Sequence, residues 1–204
     1  MKLKRLLVLI VVITVIGGIS VFADDGFDTF KGKTVKIFVN DREASSNGLL
    51  VADKNGLTKS MVPVRDIADA LQALVEYDEA TQSINVYKPN VQMSVMYMAK
   101  DSVQFLGDVT RGQKLTMYIL TWIDSVKTNL SALKVTVEDP YGGEIFSDVK
   151  EVNEQSDDHF WWGSKKMPVE FKYSGPYVVK LYMKDSNSDY TLVSQRIIKS
   201  VAKD

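Results

Sequence analysis

The chain has 204 residues, with 25 Lys and Arg against 26 Asp and Glu, a single His and no Cys. The lack of Cys excludes disulfides, thiolate zinc sites, iron–sulfur clusters and cysteine nucleophiles, and one His excludes a multi-histidine metal site. A pI near 5.9 argues against general polyanion binding, so no nucleic-acid partner is expected.

Residues 1–23 have the pattern of a secretory signal peptide. Lys2, Lys4 and Arg5 form a positive start, and Leu6 to Ile16 is an apolar run broken only by Thr14. Gly17 and Gly18 then interrupt it. Val21-Phe22-Ala23 places small residues at the −3 and −1 positions, so cleavage is expected after Ala23, with Asp24-Asp25 beginning the mature chain. The alternative is a retained anchor, because Leu6 to Ala23 comes near the ~20 residues that span a bilayer. No Cys follows the cleavage site, so a lipid anchor is excluded. The expected location is secreted or cell-envelope associated, outside the cytoplasm, with membrane contact only through this segment if it is kept. An exported chain without Cys must be stabilised by core burial alone.

Residues 24–33 read as a short polar leader. Val35, Ile37 and Val39 then alternate with Lys36 and Phe38, the period of a strand, and Asn40-Asp41 is a turn signal. Leu49-Leu50-Val51 and Met61-Val62 flank the turn-forming cluster Asp53-Lys54-Asn55-Gly56. Pro63 is expected at the first helical position, where its fixed φ is suitable. Val64, Ile67, Ala68, Leu71 and Leu74 follow at helical spacing. Val64, Ile67, Ala68 and Leu71 are expected to pack on the small sheet, with Arg65, Asp66, Asp69 and Gln72 on or near the other face. Leu74 to Tyr77 looks extended, Asp78 to Gln82 turns, Ser83 to Tyr87 returns as a strand, and Pro89 ends the unit.

The string MVPVRDIADALQALVEYDEATQSINVY resembles the copper amine oxidase N-terminal-like domain, a small α+β module of exported bacterial proteins. The family pattern is a strand ending in a "VNGK" turn, a "VPxR" helix start and "YDxxTxxxxV". Val39-Asn40-Asp41-Arg42 matches the first part, with Asp41 where Gly is usual. Val62-Pro63-Val64-Arg65 matches the second, and Tyr77-Asp78 through Thr81 to Val86 the third. Gln72 stands where the family usually has Gly. The resemblance covers residues 34–88 and implies a stalk or adaptor scaffold.

The family name invites copper amine oxidase chemistry, which needs three His ligands and a modified Tyr in an Asn-Tyr-Asp/Glu context. His159 is the only His, and Tyr77 lies between Glu76 and Asp78. The resemblance therefore implies a scaffold without the oxidase activity, and no cofactor is expected.

From Val91 onward the signals become all-β. Met93, Val95 and Tyr97 alternate, and Leu115 to Trp122 is a long strand. Leu133 to Glu138, Pro168 to Tyr173, Tyr177 to Lys184 and Tyr190 to Ile198 follow. Thr110-Arg111-Gly112, Asp139 to Gly143, Ser174-Gly175-Pro176 and Asp185 to Asp189 punctuate them. The last two strands are similar in outline to the closing hairpin of an immunoglobulin-like domain. The expected fold is α+β: a small copper amine oxidase N-terminal-like domain at 34–89, then an all-β immunoglobulin-like sandwich at 90–204. Lys88-Pro89-Asn90 is the linker between them.

Asp185-Ser186-Asn187-Ser188-Asp189 begins like a calcium loop, but Tyr190 and Arg196 stand where that loop needs Gly and Glu. It reads as a polar hairpin tip, and no metal site is expected. His159-Phe160-Trp161-Trp162-Gly163 is the most unusual local composition. In a strand, period-two geometry sends one Trp into the core and the other outward, where an exposed indole can stack on a sugar or anchor a protein; the plainer reading, which the composition favours, is that both are packed, one under a loop.

His159, Phe160, Trp161 and Trp162 are therefore the candidate ligand-binding residues, and no catalytic residues are nominated. No Ser has a nucleophile-elbow context, and no phosphate-binding glycine loop is present.

The chain reads as a non-catalytic exported envelope protein, a stalk or adaptor module followed by a spacer or binding module. Its expected partner is cell-wall polysaccharide or another envelope protein. One alternative is specific polysaccharide recognition through Trp161 and Trp162, and another is a carboxylate-dependent extracellular hydrolase.

Overall fold

The computed structural model describes residues 32–52, 58–152, 159–185 and 189–202. The expected signal peptide, most of the leader, the Asp53–Gly56 turn and the middle of the Asp185–Asp189 tip lie outside the described residues. Within them the chain is mostly β, with one short helix and four sheets.

The first three strands, β1 (Gly32–Val39), β2 (Arg42–Ala52) and β3 (Thr58–Met61), form an antiparallel sheet in chain order. β1 half-buries Val35, Ile37 and Val39 and exposes Lys36 and Phe38, the alternation expected. It begins inside the segment read as leader, because Gly32 and Lys33 find partners in Val51 and Leu50 of the longer β2. Asn40 and Asp41 both take positive φ, 49° and 61°, as a two-residue hairpin turn of matching twist requires.

The helix, α1 (Val64–Leu71), starts one residue later than expected. Pro63 is its N-cap, with the helical φ of −65° but an extended ψ of 112°. Ala68 is buried, Val64 and Ile67 are half-buried, and Leu71 is 46% exposed, which corrects its placement on the packed face. Leu71 is the last helical residue, where the chain is already turning away through Gln72. That residue is left-handed, with φ 56° and ψ 50°. The N–H of Gln72 donates to Asp69 O at 3.0 Å and that of Ala73 to Ala68 O at 2.8 Å, the paired bonds of a Schellman ending. Gln is strained there and Gly is not, so Gln72→Gly should stabilise the protein by about 0.5–1 kcal/mol. A urea midpoint that falls in this variant would count against the cap geometry.

β4 (Leu74–Asp78) and β5 (Ser83–Tyr87) pair as a two-stranded sheet. Their turn is organised by Asp78, whose carboxylate accepts the Thr81 hydroxyl at 2.7 Å and the N–H groups of Ala80 and Thr81. These bonds, the Thr81 hydroxyl first, hold its pKa below the ordinary carboxylate value. Lys88 then donates to Gln72 O at 2.9 Å and to Val193 O at 3.3 Å, tying the helix end to a distant strand. Partial burial pushes its pKa down.

Two larger sheets follow. One has β11 (Glu144–Glu151), β10 (Leu130–Glu138), β14 (Gly175–Asp185), β15 (Thr191–Val201) and β8 (Val109–Thr110) in that order. The other has β12 (Phe160–Gly163), β9 (Lys114–Asp124), β6 (Asn90–Met98) and β7 (Val103–Phe105), with β13 (Met167–Glu170) also on β9. All pairs are antiparallel except β8 with β15. One apolar cluster draws on both sheets: Val95, Met117, Ile119 and Ile123 from one, Val135, Val179 and Leu181 from the other. It continues to Leu74 of β4, with Tyr87 of β5 packed against it.

The expected Pro168–Tyr173 strand stops at Glu170. Phe171 still donates its N–H to Gln113 O in the register of that pair, its ring sits in the core 4.9 Å from that of Tyr177, and the chain turns just after it, where the Lys172 N–H bonds Glu170 O. The Tyr177 hydroxyl accepts the N–H of Tyr173 at 3.0 Å. The edge strand β11 was not expected, because its sequence is mostly polar. It turns one carboxylate inward, and buried Asp148 accepts the Lys165 N–H at 2.8 Å. Inward charge is a common protection for sheet edges.

Candidate functional site

β12 sits on β9 in the register Phe160↔Ile123, Trp161↔Trp122, Trp162↔Thr121, Gly163↔Leu120. Ile123 and Thr121 are fully buried, so their partners Phe160 and Trp162 face the core. Trp162 is 7% exposed, whereas Trp161 is 64% exposed. The pairing is pinned at two points. Thr121 Oγ1 donates to Trp162 O at 3.0 Å, and Ser164 exchanges bonds with the backbone of Ile119, each at 2.9 Å.

The residue opposite Trp161 is Trp122, 50% exposed. Directly opposed side chains on antiparallel strands stand ~4.5–5.5 Å apart at Cβ, so the two indoles form one patch. On the other side of Trp122 lies Gln92 of β6, and one row further along are Asp124 and Asn90. Asn90 Nδ2 donates to Asp124 Oδ2 at 3.0 Å, and the Ser125 hydroxyl to Asp124 Oδ1 at 2.9 Å. Two exposed indoles therefore stand beside a carboxylate and two side-chain amides on an open sheet face.

Of the four residues nominated from sequence, Trp161 lies on this face, while Phe160 and Trp162 face inward. His159 is exposed, just before β12. Trp122 and its polar neighbours were not nominated. Trp122 closes a mostly apolar run, Leu115 to Trp122, whose two Thr residues lie on opposite faces, Thr116 outward and Thr121 inward, so polarity does not show which residues point out. Only the register with β12 reveals it.

A separate groove of about 770 Å³ lies between α1 and the β14–β15 end, lined by Arg65, Asp69, Tyr182 and Tyr190 among others. Its tyrosines already hold cations: Lys134 Nζ is 5.9 Å from both ring centroids, and Lys184 Nζ 5.8 Å from that of Tyr190. Among the described residues no group of three or more His, Asp or Glu side chains converges as a metal cage.

Comparison with known proteins matches no family and no curated protein. Among solved structures, the chain is similar to the C-terminal domain of Wzt, with 9% identity and a TM-score of 0.35, over 65% of this chain and 78% of that one.

Proposed function

We propose that the protein is a non-catalytic, exported envelope protein that binds cell-wall polysaccharide on the outer face of the β12–β9–β6 sheet. The observation that carries this reading is the cross-strand pair Trp161 and Trp122, both exposed on one open face. Large aromatic side chains left in water are costly and mark interaction sites. The flat apolar face of a sugar ring covers an indole, while its rim of hydroxyls needs donors and acceptors such as Gln92, Asn90 and Asp124 alongside. On this reading residues 34–89 are a copper amine oxidase N-terminal-like stalk, supported by the strand, turn and helix order around the matched motifs. Residues 90–204 are an immunoglobulin-like sandwich. This is supported by the shared two-sheet core and by the Tyr177 hydroxyl bonded back to the backbone four residues upstream, as in a tyrosine corner.

The test is native electrophoresis through gels cast with soluble polysaccharides: hydroxyethyl cellulose, glycol chitin, galactomannan and dextran. Co-sedimentation with purified bacterial wall sacculi accompanies it. The protein should be retarded in at least one gel or pelleted with the sacculi. Trp122→Ala and Trp161→Ala should each weaken that binding about tenfold or more, the loss of a central aromatic anchor. Unretarded migration everywhere and no pelleting would overturn the reading, as would binding that survives both substitutions.

A further inference from the structure

We infer that Lys88 is a strap: its ammonium ties the end of α1 to a β-bulge in β15, and so fixes the angle at which α1 and the β1–β3 sheet stand on the two large sheets. This does not rest on the polysaccharide reading. Both acceptors lie where regular pairing breaks. Gln72 O belongs to the left-handed residue that ends the helix, and α1 has no basic residue in its last turn. A cation brought there from elsewhere satisfies the carbonyl and suits the helix dipole. Val193 is the extra residue of the bulge, because Leu181 pairs with Ser194 and Tyr182 with Leu192. Lys88 Nζ donates to the first carbonyl at 2.9 Å and to the second at 3.3 Å. An ammonium has three protons to donate, so one side chain serves both.

The packing around Lys88 is uneven. The β4–β5 hairpin is seated firmly: Leu74 is in the shared core and Tyr87 packs against it. Pro89, buried just after Lys88, leaves no slack before β6. α1 and the β1–β3 sheet are held less well. Among the described residues α1 packs on β1, β2 and β4, and neither it nor the β1–β3 sheet shares extensive contact with either large sheet. A furrow separates them from β15. The groove of about 770 Å³ beside Arg65 and Tyr190 continues into one of about 610 Å³ beside Arg42, Leu71 and Gln195, and the two share Asp69 and Leu192. α1 and its sheet therefore have open space to swing into, with the short Gln72-Ala73 joint to β4 as the pivot. Hinges of this kind turn on a few residues at the ends of elements. Gln72 borders the furrow on one side, and Val193 follows Leu192 on the other. Lys88 spans the two and sets the width of the furrow.

The test is double electron–electron resonance between nitroxides attached at Lys59→Cys in β3 and Lys199→Cys in β15, both exposed positions. The native chain has no Cys, so only these two sites are labelled. One narrow distance distribution is expected. Adding Lys88→Met, which keeps an apolar stem and removes the donor, should widen it about twofold or more while the circular dichroism spectrum stays native. Lys88→Arg restores donors and should narrow it again. A broad distribution with Lys88 in place, or one just as narrow in Lys88→Met, overturns the strap, as does a Lys88→Arg distribution no narrower than that of Lys88→Met. A Lys88→Met chain that loses the native spectrum overturns it as well, because the ammonium would then hold the fold and not the angle.

Discussion

Trp162→Ala should lower the unfolding free energy by about 3–5 kcal/mol, the usual cost of emptying a large aromatic site in a core. Its neighbour Trp161→Ala should cost about 1 kcal/mol or less, because an exposed side chain gives up only a cross-strand pairing. The two residues are adjacent and chemically identical, so the difference isolates which face of β12 is buried. Urea unfolding followed by far-ultraviolet circular dichroism is the suitable measurement. Trp122, Trp161 and Trp162 are the chain's three tryptophans, and each substitution removes part of the fluorescence signal. Equal destabilisation would mean that β12 is not paired to β9 as described. The outward face would then lose its aromatic pair, and the polysaccharide reading with it.

The sequence made the local chemistry legible wherever a pattern had a single physical solution. The alternation at Val35, Ile37 and Val39, the Asn40-Asp41 turn and the turns at Gly112, Gly142 and Gly175 all stand where expected, each glycine with a positive φ. That Trp161 and Trp162 face opposite ways also follows from period two alone, but which of them is buried, and whether the other is covered, does not.

Placement that depends on partners distant in sequence was not legible. Gln72 stands where the matched pattern has Gly, and it takes the left-handed conformation nonetheless, because the two backbone bonds that close the helix require it. Leu71 continues the helical spacing but lies at the last turn, where periodicity no longer implies a neighbour. β11 is polar because it is an edge strand, and polar alternation gives little strand signal. Trp122 was hidden by the opposite problem, a mostly apolar run whose two Thr residues, Thr116 and Thr121, fall on opposite faces. The candidate site is made by a register between β9 and β12, segments some forty residues apart, and no local pattern encodes that register.

Tyr177→Ala should also cost about 3–5 kcal/mol, and here the side chain joins packing to a backbone bond. Tyr177 is 1% exposed at the start of β14, with its ring edge-on to Phe171, at 71° between planes. Its hydroxyl accepts the Tyr173 N–H across the turn at Ser174 and Gly175. Gly175 is needed there, with a φ of 130° and Pro140 within 3.0 Å of where a Cβ would stand. Tyr177→Phe keeps the ring and removes only the acceptor, which should cost about 0.5–1.5 kcal/mol. The ordering Ala well below Phe, and Phe slightly below Tyr, is expected in urea midpoints. A Phe variant as unstable as the Ala variant would show that the hydroxyl, rather than the ring in the core between the two sheets, governs this corner. A Phe variant with no loss would show that Tyr173 N–H finds water instead.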